Sequence, residues 1–169
     1  LSLGFGGSPG RLPALPNAAW FFFASAENHL SLQKHQRGSG AFATAYASPH
    51  IPAPVFLFAL PAIPFLAWRP SSRLLRRAAS RVIQQDMSAL ELDVREWHRY
   101  SLDWQSNDIR FEIDQRLVLS SQLKPRPPLA LVLWIDNQFA AWRPDGSLAY
   151  GTLATGADCW IEIKDIRLS

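Results

Sequence analysis

The residues best suited to bind a ligand follow an apolar run in the second half of the chain. Trp134, Asp136 and Gln138 occupy alternate positions, which places them on one face of an extended segment, and Trp142 follows a short distance onward. Aromatic rings stack on sugar faces, while carboxylates and amides bind sugar hydroxyl groups. If this face is concave, the four residues form a carbohydrate-binding platform. If it lies between two sheets, Trp134 belongs to the core.

The sequence assigns no catalytic residue. Hydrolysis of a glycosidic bond requires two facing carboxyl groups, about 5 Å apart in retaining enzymes and farther apart in inverting ones. Three pairs of carboxylates are close in sequence: Glu91 with Asp93, Glu112 with Asp114, and Glu162 with Asp165. Each pair is typical of a solvated surface. The phosphate-binding glycine loop and the His-Glu-x-x-His motif are both absent from the sequence.

Metal and cofactor chemistry have no sequence support either. The four histidines, His29, His35, His50 and His98, lack the spacing of metal ligands, and Cys159 is the only cysteine. We therefore expect no metal site, no cofactor and no intrachain disulfide. The net charge of +3, from 17 basic and 14 acidic residues, is too small to indicate a nucleic-acid partner.

A second candidate surface combines an apolar segment with a basic one. Residues 51–68 carry no charge, but four prolines interrupt them and disfavour a membrane-spanning helix. Residues 69–81 contain five arginines and no acid, with apolar residues at helical spacing. This pattern predicts a basic amphipathic helix that begins near Ser71 or Ser72 and ends between Met87 and Leu90.

This apolar and basic pair of segments allows three interpretations. It forms a membrane-dipping hairpin with a positive flank at the lipid headgroups, an insertion packed on its own domain or on a partner, or a connection whose apolar side chains are core. The residues that would contact a membrane or a partner are Phe56, Phe58, Phe65, Trp68, Arg73, Arg76 and Arg77.

The elements that position these residues are predicted to be mostly strands. Alternating polarity predicts strands at 41–46, 97–104, 109–113 and 116–119, with the last two joined by a turn at Asp114 and Gln115. Continuous apolar runs predict strands buried on both faces at 18–25 and 129–134. Residues 160–168 alternate with a change of phase, which predicts a strand with a β-bulge near Lys164 and Asp165. The glycine- and proline-rich residues 1–16 predict a loop.

Together these elements predict an antiparallel β-sandwich whose only helix lies in the arginine-rich segment. The segment Trp97-His98-x-Tyr100-x-Leu-x-Trp104, followed by Ile109-Arg-Phe111-x-Ile-Asp114-x-x-Leu-Val118, resembles a strand pair of the concanavalin A-like lectin and glucanase superfamily. It is nearest to glycoside hydrolase family 16, and the resemblance covers about residues 97–168.

The resemblance implies a jelly-roll sandwich, an oligo- or polysaccharide partner, and an extracellular or membrane-associated location. Two departures limit what it implies about chemistry. The family's catalytic Glu-x-Asp-x-Glu strand has no counterpart in residues 1–96, and Gln115 replaces the usual turn glycine.

We therefore expect a single β-sandwich domain over residues 1–169, with residues 51–90 as an apolar and arginine-rich insertion. Removing that insertion leaves too few residues for a complete jelly roll, so we expect the N-terminal part of the sandwich to be missing. The expected function is glycan binding without hydrolysis. The alternative is a membrane-associated or protein-interaction module that acts through residues 51–81.

Overall fold

The computed structural model of the chain describes residues 2–7, 15–33, 36, 38–52 and 61–168. Within these residues the chain forms ten strands and two helices. In chain order they are β1 (Ser2–Gly7), β2 (Ala18–Ala24), β3 (Gly40–Ala47), α1 (Ile63–Leu66), α2 (Arg69–Val82), β4 (Gln84–Leu90), β5 (Tyr100–Trp104), β6 (Ile109–Ile113), β7 (Arg116–Ser121), β8 (Leu129–Trp134), β9 (Gln138–Trp142) and β10 (Leu148–Thr152).

The strands form three antiparallel units. The largest is a five-stranded sheet in the order β4-β3-β2-β1-β8. A three-stranded sheet follows the order β5-β6-β7, and β9 and β10 form a separate hairpin. The chain is therefore mainly β, as the alternation of its sequence predicts.

The core lies between the five-stranded and three-stranded sheets. Phe21 of β2 packs edge to face on Phe111 of β6, with 5.3 Å between the ring centroids, and Ile109 and Ile113 complete the same cluster. In β3 the residues that face this cluster are alanines, Ala43 and Ala45 among them. Small side chains on one sheet leave room for large ones on the other, and this allows the two sheets to pack closely.

The opposite face of the five-stranded sheet is covered by the connection between β2 and β3. Trp20 and Thr44 are direct cross-strand partners on this face, and Tyr46 lies on the same side of β3. The Tyr46 hydroxyl donates to the Leu30 carbonyl at 3.1 Å and accepts from Gln85 Nε2 at 2.8 Å. Gln85 therefore links the buried surface of β4 to this overlying connection.

Helix α2 and the β9-β10 hairpin pack on each other. Buried Arg76 donates from Nη2 to the Ser31 carbonyl at 2.6 Å and from Nε to the Trp142 carbonyl at 2.9 Å. The Trp142 indole in turn donates to Ser72 Oγ at 2.9 Å. A single guanidinium group thus joins the helix, the hairpin and the β2-β3 connection.

Several predicted elements differ from the observed ones. Residues 2–7 form β1 rather than a loop, and β5 begins at Tyr100 rather than Trp97. The predicted helix ends at Val82, because the following residues become β4 and pair with β3. Residues 84–90 therefore belong to the main sheet. Pairing with a neighbouring strand decides such segments, and periodicity alone does not show that partner.

The strand predicted at 129–134 has the observed bounds but not the predicted burial, and the strand predicted at 160–168 was wrong. β8 is an edge strand of the sheet formed by the described residues, and it is half-buried rather than covered on both sides. Residues 160–168 lie within the described residues and form no strand, so they contain no β-bulge. The backbone of Asp165, where the bulge was predicted, has a positive φ of 56°. Trp160 and Leu168 are exposed, so alternation in this segment does not reflect burial in a sheet.

Candidate functional site

A cavity of about 400 Å³ lies where three segments of the chain meet. Its walls come from residues 22–25 at the end of β2, residues 134–138 between β8 and β9, and residues in the range 153–159 that follow β10. We call it the Trp134 cleft. Trp134, Asp136 and Gln138, three of the four residues predicted to bind sugar, line it.

The aromatic wall of the Trp134 cleft is built by cross-strand pairing. Ser2 of β1 pairs with Phe22 on one side and with Trp134 on the other, which places both aromatic side chains on one face. Trp134 packs edge to face against Trp20 at 4.8 Å and against Phe22 at 6.0 Å between ring centroids. This face is opposite the sandwich core, and Trp134 remains partly accessible.

Hydrogen bonds position the polar loops around the Trp134 cleft. Asn137 and Leu153 exchange two bonds: the Leu153 amide donates to the Asn137 carbonyl at 2.7 Å, and Asn137 Nδ2 donates to the Leu153 carbonyl at 3.0 Å. Asn28 Oδ1 accepts from the Ala140 amide at 3.0 Å. These amides are already paired, so they hold the walls in place.

Other polar groups in the cleft remain available. The side chains of Gln138, Thr155 and Asp158 have no hydrogen-bond partner among the described residues, and all three are exposed. Asp136 uses Oδ1 to accept from the Gln138 amide at 3.3 Å, which leaves its second oxygen available within the described part of the chain. The lining contains two carboxylates and no basic residue. The cleft therefore offers acceptors and amide donors to a polar, uncharged ligand.

Sequence reasoning did not identify Thr155, Asp158 or Asn28 as part of this site. Thr155 and Asp158 lie in an irregular segment after β10, and Asn28 lies in the turn after β2. Turn residues of these types are common in surface loops, so their composition gives no signal of a shared site. Only the meeting of the three segments brings them together.

Trp142 lies elsewhere. It lines a second cavity of about 740 Å³ between the outer face of the five-stranded sheet and the β9-β10 hairpin, together with apolar residues such as Trp20 and Leu30. Its indole N–H is bonded to Ser72 Oγ. The structure therefore places Trp142 apart from the other three predicted sugar-binding residues.

His29 also lines this second cavity. Burial and the nearby guanidinium groups of Arg76 and Arg143 lower its pKa, so the neutral imidazole is favoured. Its Nε2 is buried and has no hydrogen-bond partner within the described residues. Its backbone is well anchored, since the His29 amide donates to the Ala140 carbonyl at 3.0 Å.

The residues predicted for membrane or partner contact divide into three groups. Phe65, Trp68, Arg73 and Arg77 are exposed, Arg76 is buried, and Phe56 and Phe58 lie outside the described residues. Arg76 differs from the prediction because it faces the fold and binds two backbone carbonyls. In the part of the chain that the structure describes, no helix is long and apolar enough to cross a membrane.

His98 and Asp114 bind each other beside the three-stranded sheet. His98 Nδ1 lies 2.7 Å from Asp114 Oδ2, and the Arg99 amide donates to Asp114 Oδ1 at 2.9 Å. The carboxylate raises the pKa of His98, while the Arg99 amide and then the imidazole lower the pKa of Asp114. This contact ties the start of β5 to the turn between β6 and β7.

The carboxylate pairs considered from the sequence have separate environments. Asp93 binds the Arg95 side chain, with 2.5 Å between Oδ2 and Nη2, and this hydrogen bonding lowers the pKa of Asp93 to about 2. Asp114 is engaged by His98, and half-buried Glu112 accepts from Ser101 Oγ at 3.3 Å. Glu162 and Asp165 are exposed outside any strand. None of these carboxylates lines the Trp134 cleft.

Among the described residues, no cluster of three or more His, Cys, Asp or Glu side chains could hold a metal ion. Comparison of the chain with protein-family models, with curated proteins and with solved structures finds no significant match.

Proposed function

We propose that this chain binds a carbohydrate in the Trp134 cleft and that its sandwich is a concanavalin A-like jelly roll related to glycoside hydrolase family 16. The observation that carries the proposal is the position of Trp134 beside Asp136 and Gln138 in one cavity of about 400 Å³. Cavities that hold small ligands typically measure about 300–1,000 Å³.

The chemistry of the lining supports a sugar over a fully apolar ligand. An indole ring provides a flat apolar surface, and the unpaired groups of Asp136, Gln138 and Asp158 provide partners for hydroxyl groups around it. Sugars present these two features together, since their C–H faces are apolar and their edges carry hydroxyls. A site of this kind binds by stacking and by hydrogen bonds.

The negative charge of the cleft favours a neutral sugar over an acidic one. Asp136 and Asp158 are its only charged lining residues among those described, so an acidic sugar would meet like charge. Neutral oligosaccharides avoid this repulsion. The resemblance to glucanases supports β-linked glucose oligomers as the first ligands to examine.

The first prediction concerns Trp134 itself. Calorimetric titration should detect binding of neutral β-glucan oligosaccharides to the wild-type chain and weaker or no binding of uronic-acid oligosaccharides. Trp134→Ala should reduce affinity by at least about tenfold, because it removes the stacking surface. Trp97→Ala is the matched control, since Trp97 is 65% exposed and lies outside the cleft.

Cys159 supplies an independent readout. It is the only cysteine of the sequence, its thiol is exposed, and it lines the Trp134 cleft. Bound oligosaccharide should slow its reaction with a thiol reagent in the wild-type chain and in Trp97→Ala, but not in Trp134→Ala. If no neutral glycan binds, or if Trp134→Ala binds and protects Cys159 as well as the wild type does, the proposal is wrong.

A further inference from the structure

We propose that α2 docks the protein on an anionic lipid surface through its outer face. Arg69, Arg73, Arg77 and Arg81 follow one another at intervals of four residues along α2, and all four are exposed. We call these four residues the arginine row. Residues four apart lie on neighbouring turns of one helix face, so the row forms a continuous positive stripe.

The arginine row destabilises an isolated helix. Like charges at this spacing repel each other, and the sequence contains no Asp or Glu between Glu27 and Asp86 that could offset them along the helix. The carboxylate of Asp145, in the hairpin turn, interacts with Arg69 at one end of the row. Within the described residues, the guanidinium groups of Arg77 and Arg81 form no hydrogen bond and no ion pair. An anionic surface supplies the missing opposite charge.

The fold holds the row outward. Ser72 and Arg76, on the face of α2 that adjoins Arg69 and Arg73, are buried at 0% and 5% exposure. Arg76 is bonded to the carbonyls of Ser31 and Trp142, and Arg73 Nε donates to the Asp145 carbonyl at 2.8 Å. The helix therefore cannot turn its arginines toward the protein without breaking these contacts.

Exposed apolar side chains stand next to the row. Ile63, Phe65 and Trp68, in α1 and just before α2, are 56–64% exposed. The Ser71 hydroxyl donates to the carbonyls of Phe65 and Trp68 and so fixes this corner against the first turn of α2. Large apolar and aromatic side chains beside arginines match the boundary between lipid headgroups and acyl chains.

This combination favours lipid over nucleic acid. Phosphate in either partner would pair with arginine, but a nucleic-acid backbone provides no apolar layer for Ile63 and Phe65. Such docking places the protein on the surface of the bilayer. It is independent of sugar binding in the Trp134 cleft.

The test is co-sedimentation of the full chain with vesicles of phosphatidylcholine alone or of equal parts phosphatidylcholine and phosphatidylserine. Binding should require phosphatidylserine and should weaken as salt is added. Each arginine near an anionic surface contributes about fivefold to binding, so Arg77→Gln with Arg81→Gln should reduce it about 25-fold. Neither guanidinium group forms a hydrogen bond or an ion pair in the described fold, so we expect the double variant to fold.

Matched variants test whether vesicle binding depends on this surface or only on the total charge and hydrophobicity of the protein. Arg99→Gln with Arg116→Gln removes the same charge from exposed positions, one just before β5 and one in β7, and should leave vesicle binding unchanged. Phe65→Ser with Trp68→Ser should weaken binding, whereas Trp97→Ser with Leu117→Ser, at similarly exposed positions, should not.

Three results would overturn the proposal: equal binding to vesicles with and without phosphatidylserine, equal loss in the two arginine double variants, or no vesicle binding at low salt. Binding of a DNA duplex that depends on Arg77 and Arg81, without vesicle binding, would assign the arginine row to nucleic acid instead.

Discussion

At the scale of single residues, Trp134 and Trp142 show how a change of backbone direction separates two similar side chains. Trp134 ends β8 and Trp142 ends β9, and the two strands belong to different sheets, with residues 135–137 outside both strands. Alternation places side chains on one face only while the chain stays extended. Trp134 therefore lines the cleft, whereas Trp142 binds Ser72 behind the hairpin.

Substitution of Gln115 tests whether the turn between β6 and β7 is strained. Asp114 and Gln115 both have positive φ, 51° and 66°, as a two-residue type I′ turn requires. Glycine adopts this conformation without the steric cost of a side chain, which is about 1 kcal/mol. Gln115→Gly should therefore raise the free energy of unfolding by up to about 1 kcal/mol, measured by urea denaturation.

Gln122→Gly provides the control for this prediction. Gln122 is also exposed but has no positive φ, so glycine there should lower stability slightly through the greater freedom of the unfolded chain. Asp114 is unsuitable for the same substitution because its carboxylate binds His98 and the Arg99 amide. A loss of stability in Gln115→Gly would contradict the strained turn.

At the scale of elements, the burial of each α2 side chain depends on which part of the protein its face of the helix contacts. Arg76 and Arg77 are adjacent, yet Arg76 is buried among backbone carbonyls and Arg77 is exposed. The hairpin turn at Gly146 also contacts the helix: a Cβ there would lie 2.3 Å from the Arg69 carbonyl oxygen. The helix and the hairpin are therefore in contact at both Trp142 and Gly146.

Gly146→Ala tests this packing of hairpin on helix. The φ of 84° disfavours alanine by about 1 kcal/mol, and the collision with the Arg69 backbone adds about 2 kcal/mol. We expect Gly146→Ala to lower the free energy of unfolding by about 3 kcal/mol, measured by urea denaturation.

Gly40→Ala isolates the backbone part of that effect. Gly40 has a similar φ of 92°, but a Cβ there would meet nothing within 4 Å. Its substitution should cost only about 1 kcal/mol. Equal losses in the two variants would show that the contact between Gly146 and α2 contributes nothing.

At the scale of the whole molecule, the contact between His98 and Asp114 makes stability depend on pH. The pKa of His98 is raised above 6.5 by the Asp114 carboxylate, so folding is favoured by protonation. This stabilisation is complete below pH 6.5 and is lost as pH rises through the folded-state pKa. His29 has the opposite tendency, since its pKa is lowered by burial.

A comparison with His98→Asn removes the contribution of His29, which both proteins share. The difference in unfolding free energy between wild type and variant should be larger at about pH 5.5 than at about pH 9. Asp114→Asn should abolish the same pH dependence. A difference that stays constant with pH, or one that grows toward pH 9, would contradict the His98 contact.

The sequence alone predicted β2, β3, β5, β6, β7 and β8, but not β1, β4, β9 or β10, and not the order of the strands in the sheets. Alternation at 41–46 and 109–113, and the apolar run at 18–25, reflect side chains that face either a core or an overlying layer, so β2, β3 and β6 were predictable. The arginines likewise indicated a basic helix. These features depend on short-range periodicity, which the sequence carries directly.

Tertiary structure decided everything that requires distant segments to meet. It decided that Gln84–Leu90 pairs with β3 as β4, that Arg76 faces inward, and that Trp142 leaves the site. It also brought Asn28, Thr155 and Asp158 to the Trp134 cleft. Strand pairing and cavity walls arise from contacts between residues far apart in the chain, and no local pattern of residue types specifies such a contact.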